Sequence, residues 1–377
     1  VTQKKEMNGR VLIFVIAMLL LMSYAGVMAE KLQERAAAAA ETATTEMPEA
    51  ASAGYPEEKH LSNVRQLTFG GDNAEAYWSF DGNKLVYQYR DKAKNLECDQ
   101  IYWGATNTSA FTPHMVSNGK GRTTCAYFLP GDDRIVYAST FAQVDSCLPD
   151  PDRSKGYLWG VYPSYEIYIS DLEGNILKQL TDNNYYDAEA TVSPKGDKIV
   201  FTSDRSGDLE LWTMNIDGSG LQQITNVPGY DGGAFFSPDG SKIVFRASRF
   251  EDPEELAAYE ALLKEGYVRP NAMELFVCNA DGSDLRQLTH LGGANWAPFF
   301  HPSGEKIIFS SNHQTKRVPF NLFMINLDGS GLAQISFDTV FDSFPMFSPD
   351  GKKIVFGSNR NNNGTRDTNL FIADWKD

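Results

Sequence analysis

One turn signature repeated six times, a second hairpin signature between its copies, and two chain ends that each carry part of a repeat predict an all-β chain. The fold class they predict is a six-bladed β-propeller with four-stranded blades, closed by pairing of its N- and C-terminal strands. The first signature reads WSFDG (78–82), FLPGD (128–132), VSPKG (192–196), FSPDG (236–240), FHPSG (300–304) and FSPDG (347–351). Each copy runs into a β-branched stretch such as KIVF, which is strand chemistry. The aligned turn positions Gly82, Asp132, Gly196, Gly240, Gly304 and Gly351 are 50, 64, 44, 64 and 47 residues apart. The base period is therefore about 44–50 residues, and two units carry insertions.

The second signature reads EIYISDLEGNILKQLT, LELWTMNIDGSGLQQIT, MELFVCNADGSDLRQLT and NLFMINLDGSGLAQIS. An Asp-Gly-type turn between two apolar runs is a hairpin signal. Asp217-Gly218, Asp281-Gly282 and Asp328-Gly329 lack the further acidic positions of a calcium loop, so hairpin turns are the expectation there. Each unit thus holds four strands, and six such units make a propeller. The chain enters with NVRQLT (63–68), a fourth strand with nothing before it, and leaves with NLFIADW (369–375), a third strand with nothing after it. Joining the two completes the last blade and removes the open sheet edges that a linear array would expose.

Ahead of the repeats, Lys4, Lys5 and Arg10 precede the uncharged run 11–29, which ends in Val27-Met28-Ala29. This reads as a signal peptide or, uncleaved, as a membrane anchor. Residues 30–59, with five consecutive alanines (Ala36 to Ala40) and then Glu, Thr and Pro, read as a low-complexity tether. The propeller is assigned to residues 60–377. On these segments the protein is expected in the periplasm, or held at the inner membrane by its N-terminal segment, with no other membrane contact.

The composition narrows the function. Of 377 residues, 42% are hydrophobic and 22% charged, as in a globular domain. The formal net charge of −15 repels phosphate and argues against nucleic acid as a partner. Four Cys exclude a disulfide-dense scaffold.

The FSPDG–KIVF and ELFVCNADGSDLRQLT signatures resemble the TolB-type, WD-like propeller repeats of exported bacterial envelope proteins. The resemblance spans residues 60–377. It implies the propeller fold and, for function, a scaffold, a partner platform or a non-catalytic domain of a peptidase.

Aligned on the residue before each turn Pro, one column of the innermost strands is polar throughout: Asn73, Thr123, Asp187, Asp231, Asn295 and Asp342. The expectation is that it rings one mouth of the central channel. Glu75 and Glu189, two positions on, add charge to that ring, with Cys125, Gly233, Ala297 and Phe344 in the same column. A partly acidic mouth suits a cation, a Lys or Arg side chain, or an amino terminus. The alternative is that these Asp and Asn side chains tie loops to strand starts. No cofactor is expected, with a cation such as calcium at the mouth as the one candidate guest.

The insertion 141–165 carries Tyr157, Trp159, Tyr162 and Tyr165 beside Arg153 and Lys155, the chemistry of an interface anchor or of a cover for its own blade. Residues 252–270 read as a helix, with Asp252 as N-cap, Pro253 in the first turn, an apolar stripe of Leu256, Tyr259, Leu262 and Leu263, and Gly266 as stop. Both insertions follow the second strand of a blade, so both are expected on the face where the ring lies. Cys98, Cys125 and Cys147 fall near that mouth, which leaves two candidate disulfides, Cys98–Cys147 and Cys125–Cys147. Cys278 lies within a strand and reads as a buried thiol.

Catalytic signatures are missing: there is no G-x-S-x-G, no H-E-x-x-H, no Cys-x-x-Cys and no phosphate-binding Gly loop. The sequence therefore predicts a non-catalytic, exported platform for a protein or peptide of the envelope. Two other readings stand beside it. One is a carbohydrate or cell-wall binding module, suggested by the aromatic insertion. The other is a hydrolase or lyase using carboxylates such as Asp187 and Glu189.

Overall fold

The computed structural model describes residues 53–377, apart from 109 and 363. The signal or anchor segment (1–29) and most of the tether lie outside the described residues.

The propeller is built as the repeats predict. β1 (Leu61–Gln66) enters first. Blade one is β2 (Asp72–Trp78), β3 (Lys84–Asp91), β4 (Leu96–Ala105) and β5 (His114–Met115). Blade two is β6 (Thr123–Phe128), β7 (Arg134–Ser139), β9 (Glu166–Asp171) and β10 (Ile176–Gln179), with β8 (Trp159–Gly160) in the insertion. Blade three is β11 (Asp187–Val192), β12 (Lys198–Ser203), β13 (Glu210–Asn215) and β14 (Gln222–Gln223). Blade four is β15 (Asp231–Phe236), β16 (Lys242–Ala247), β18 (Glu274–Asn279) and β19 (Arg286–Gln287), with α1 (Pro253–Lys264) and β17 (Tyr267–Val268) between its second and third strands. Blade five is β20 (Asn295–Phe300), β21 (Lys306–Ser311), β22 (Asn321–Asn326) and β23 (Ala333–Gln334). Blade six is β24 (Asp342–Phe347), β25 (Lys353–Ser358) and β26 (Asn369–Trp375), completed by β1.

That last pairing closes the ring. Leu61 faces Trp375 and Gln66 faces Phe371 in antiparallel register. An ion pair reinforces it: Arg360, wholly buried, meets Glu58 at 2.9 Å and Asp342 at 2.8 Å. The apolar β-branched and aromatic residues of the second and third strands fill the space between blades, with Phe201, Phe245, Phe309 and Phe356 buried at equivalent positions. The Asp-Gly sites are hairpin turns. Asp217, Asp281 and Asp328 each accept from the backbone N–H of the Ser two residues on, at 3.0, 3.0 and 2.9 Å.

One local feature repeats in every blade and decides what faces the axis. The inner strand slips register at the same point six times. At the slip sit Glu75, Cys125, Glu189, Gly233, Ala297 and Phe344, with φ of 53°, 48°, 60°, 59°, 48° and 55°. Only Gly adopts this left-handed conformation freely, so the other five positions each cost about 1 kcal/mol or more. A bulge adds one residue and reverses the in–out alternation beyond it.

Candidate functional site: a roofed cavity at one end of the channel

The bulge moves the polar column away from the axis. Simple alternation would put Asn73, Thr123, Asp187, Asp231, Asn295 and Asp342 on the channel side. All six are instead buried at the strand starts, 0–2% exposed, and bonded to neighbouring loops. Asp187 takes two hydrogen bonds from Arg205, at 2.6 and 2.7 Å, Asp231 pairs with Arg249, and Asp342 pairs with Arg360. Asn73 donates to the carbonyls of Gly70 and Thr368, Asn295 to that of Met273, and Thr123 to that of Asp99. The geometry of this column is thus that of loop ties, with its carboxylates already neutralised by arginines 18 residues downstream. The ring expected at the mouth lies two residues further on, in the bulge column.

That column lines a cavity of about 470 Å³, which also takes in Tyr77, Gln88, Arg90, Asp99, Arg122, Trp296 and Phe341. Beneath it, Tyr77, Tyr127, Phe235 and Phe299 meet across the axis, with ring centroids 5.4 Å apart for Tyr77–Phe235 and 5.2 Å for Phe235–Phe299. This aromatic layer is the floor. It comes from the inner-strand position four residues after the polar column, which the sequence reading passed over.

The two insertions make the roof. They pair with each other as a two-stranded sheet, with Trp159 opposite Val268 and Gly160 opposite Tyr267. Lys155 meets Glu265 at 2.9 Å across the same junction. Gly160 is required here, because a Cβ would lie 2.4 Å from the Tyr162 ring. The helix expected over 252–270 forms over Pro253–Lys264, and Asp252 caps it by accepting from the Glu254 N–H at 2.9 Å. It docks on its own domain through buried Tyr259, whose hydroxyl bonds Asp208. Of the two disulfides the sequence left open, the structure forms Cys98–Cys147, which ties the first insertion to β4. Cys125 is a free thiol in the cavity wall, and Cys278 is a buried free thiol in β18.

The residues named from the first insertion are split by the roof. Trp159 and Tyr162 are half-buried in the cavity lining. Trp159 stands 5.4 Å from Trp296 and 6.2 Å from Tyr230. Tyr157 is 58% exposed at its edge and accepts a hydrogen bond from the Trp159 indole at 3.0 Å. Arg153 lines the outer part of the cavity.

The two acidic members of the bulge column have different surroundings. Glu189 accepts from both terminal nitrogens of Arg246 at 3.2 and 3.0 Å, from the Gly233 N–H at 2.6 Å, from Thr202 at 3.1 Å and from the Tyr230 hydroxyl. Burial alone would raise its pKa, but the Arg246 charge and these donors bring it below the ordinary range. Arg246 is sandwiched in turn, 5.0 Å from the Trp159 ring and 4.8 Å from Tyr230. Glu75 has the Cys125 thiol at 2.8 Å and the Tyr77 hydroxyl at 3.4 Å. Burial pushes its pKa up to about 7. Burial likewise raises Asp99 in the same wall and lifts the Cys125 thiol well above its usual value. The site can therefore present a carboxylate that changes charge near neutrality, in a cavity that Trp159, Tyr230, Trp296 and Phe341 also line.

Arg246, Gln88, Tyr230 and Trp296 were not singled out from the sequence. Arg246 had one signal: it interrupts the KIVFRA run at a position where the other blades carry Gln, Ala, Thr, Ser and Gly.

Comparison with known proteins agrees with the architecture. Residues 162–249 match the TolB beta propeller domain. No curated protein sequence matches the chain. Among solved structures, a TolB-designated protein from Agrobacterium tumefaciens superposes with a TM-score of 0.53 at 17% identity, covering 83% of this chain and 97% of that one. TolB from Acinetobacter baumannii gives 0.54 at 17% identity, over 79% of this chain and 65% of that one. An oligogalacturonate lyase from Vibrio parahaemolyticus gives 0.51 at 14% identity, over 82% and 79%. At these identities the likeness is one of fold. The chain is a six-bladed β-propeller, similar in fold to the TolB propellers.

Proposed function

We propose that this propeller is a non-catalytic binding platform of the cell envelope, and that its roofed face receives a protein or peptide partner. The observation that carries the reading is the distribution of exposed apolar side chains. Phe69 (69% exposed), Tyr157 and Val318 (67%), with Tyr185 and Phe337, all stand on loops that border the inner-strand starts or follow the second strands. Tyr157 lines the cavity, and the loops that carry the other four adjoin the same ends of the strands; exposed apolar side chains grouped on one face are interface chemistry. The Cys98–Cys147 disulfide fits an oxidising compartment, as does the N-terminal apolar run.

The test is affinity capture with chemical cross-linking in envelope extract, using the wild type and a Phe69→Ser/Tyr157→Ser double variant. Both side chains are exposed, so the fold should survive. A stoichiometric protein cross-linked to this face by the wild type and lost by the variant supports the platform. Equal capture by both overturns the placement, and no capture by either overturns the reading.

A second reading rests on Tyr157 and Trp159, which offer ring faces at the cavity mouth beside Arg153, an arrangement suited to a sugar. Retention of envelope glycans by the wild type, lost in Trp159→Ala, would favour it.

A further inference from the structure

The repeats allow one blade to be read against another, and the comparison points to the chemistry of the cavity's guest. Glu75 and Glu189 occupy the same bulge position in blades one and three. The cation on Glu189 is Arg246, which comes from the second strand of the following blade, opposite Gly232. The path is open only because Gly232 and Gly233 carry no side chain. A Cβ at Gly232 would lie 2.4 Å from the Glu189 carboxylate, and one at Gly233 would lie 2.7 Å from Arg246.

For Glu75 the following blade is blade two, and there each part differs. Ala138, opposite Thr124, stands in the place of Arg246. Thr124 and Cys125 stand in the places of Gly232 and Gly233, and Cys125 donates its thiol to the carboxylate. Arg122 stands in the place of Tyr230, but its guanidinium turns away to the Leu148 carbonyl and Asp150. Glu75 thus receives no cation from its neighbouring blade, and the remaining approach is from the cavity.

We propose that Glu75 is the anchor for a cationic group of the ligand, a guanidinium or alkylammonium, held as Arg246 is held on Glu189, between a carboxylate and aromatic rings. This rests on the roofed cavity being the binding site and names what that site binds. Glu75, half-buried in the cavity wall, is partly desolvated without a cation from its neighbouring blade, which favours an incoming cation. Aromatic faces add to the preference for an organic cation. Among the described residues no group of three or more His, Cys, Asp or Glu is arranged to hold a metal ion. Besides burial, the groups that act on the charge of Glu75 are Cys125 from β6, Glu189 from β11, Arg246 from β16 and Asp99 from β4, and the Tyr77 hydroxyl of its own strand lies at 3.4 Å.

The probes are butylguanidinium, its neutral analogue butylurea, and calcium chloride, titrated calorimetrically into the wild type and Glu75→Gln at pH 5.5 and pH 8. A second readout is the alkylation rate of Cys125, with Cys278 as the control for unfolding. Wild type should bind butylguanidinium at pH 8, at least about tenfold more tightly than Glu75→Gln does. It should bind more weakly at pH 5.5 and show no butylurea binding. The guanidinium should slow alkylation of Cys125 and leave Cys278 unchanged. Equal binding by wild type and a folded Glu75→Gln overturns the anchor, as does binding of calcium without butylguanidinium. If a captured protein partner is lost with Phe69→Ser/Tyr157→Ser but not with Glu75→Gln, the platform stands and the anchor falls. If butylguanidinium binds as described while no partner is captured, the anchor stands and the platform falls.

Discussion

The two walls of the cavity start from the same backbone and reach opposite electrostatic states. In blade three, Glu189 sits on the left-handed bulge and is saturated by Arg246, Gly233, Thr202 and Tyr230. In blade one, Glu75 sits on the same bulge with a thiol and a phenol for company. The difference teaches that the repeat fixes where a side chain points, while residues contributed by the next blade fix its charge. One wall is structural because it is internally neutralised. The other holds a carboxylate that receives no cation from its neighbouring blade.

The largest expected effect comes from breaking the saturated wall. Arg246→Met would leave Glu189 buried without its cation and should cost about 3–5 kcal/mol in urea unfolding, whereas Glu75→Gln should cost under about 1 kcal/mol. Equal costs would erase the distinction between the walls. Next in size is the roof that covers both. Cys98→Ser/Cys147→Ser should lose about 2–4 kcal/mol, read by the same unfolding, and should speed alkylation of Cys125 more than that of Cys278.

The pH response sharpens the comparison further. With Glu75 raised in the folded state from 4.5 to about 7, the native protein holds more protons than the unfolded chain in that window. Its contribution to stability is full below about pH 4.5 and is lost as pH rises through 7. Stability measured from pH 4.5 to 7.5 should therefore fall more steeply in wild type than in Glu75→Gln. Glu189 has the opposite sign: its depressed pKa contributes stability that is lost as pH falls. The smallest effect is at the exposed edge. Tyr157→Ala should change stability by no more than about 0.5 kcal/mol while weakening partner capture, which separates surface from wall.

Much of this was legible in the repeats. The turn signatures and β-branched runs located the six inner strands, and the half-repeats at the ends located the closure between β1 and β26. The helix at Pro253–Lys264 was legible from its caps. The bulge was not, because a left-handed residue that is Glu, Cys, Ala or Phe gives no signal comparable to Gly. Missing it placed Asp187, Asp231 and Asp342 on the channel side. The correct partner of each was nevertheless present in the sequence, since Arg205, Arg249 and Arg360 follow at a constant spacing of 18 residues. The aromatic floor was also missed: Tyr77, Tyr127 and Phe235 lie four residues after the polar column, in step with it under plain alternation, and it is the bulge between them that turns the aromatics to the axis and leaves the polar column out.

Sequence alone determined the number of blades, the strand order within each, the closure and the face on which the insertions rise. These follow from short-range periodicity and turn chemistry, which act within one repeat. Tertiary structure decided which of two candidate disulfides forms, that the two insertions pair through Trp159 and Val268, and that Glu189 but not Glu75 receives an arginine. Those outcomes depend on contacts between blades, and Glu189 reaches Arg246 only because Gly232 and Gly233 of the next blade carry no side chain in the path, an arrangement no single repeat contains.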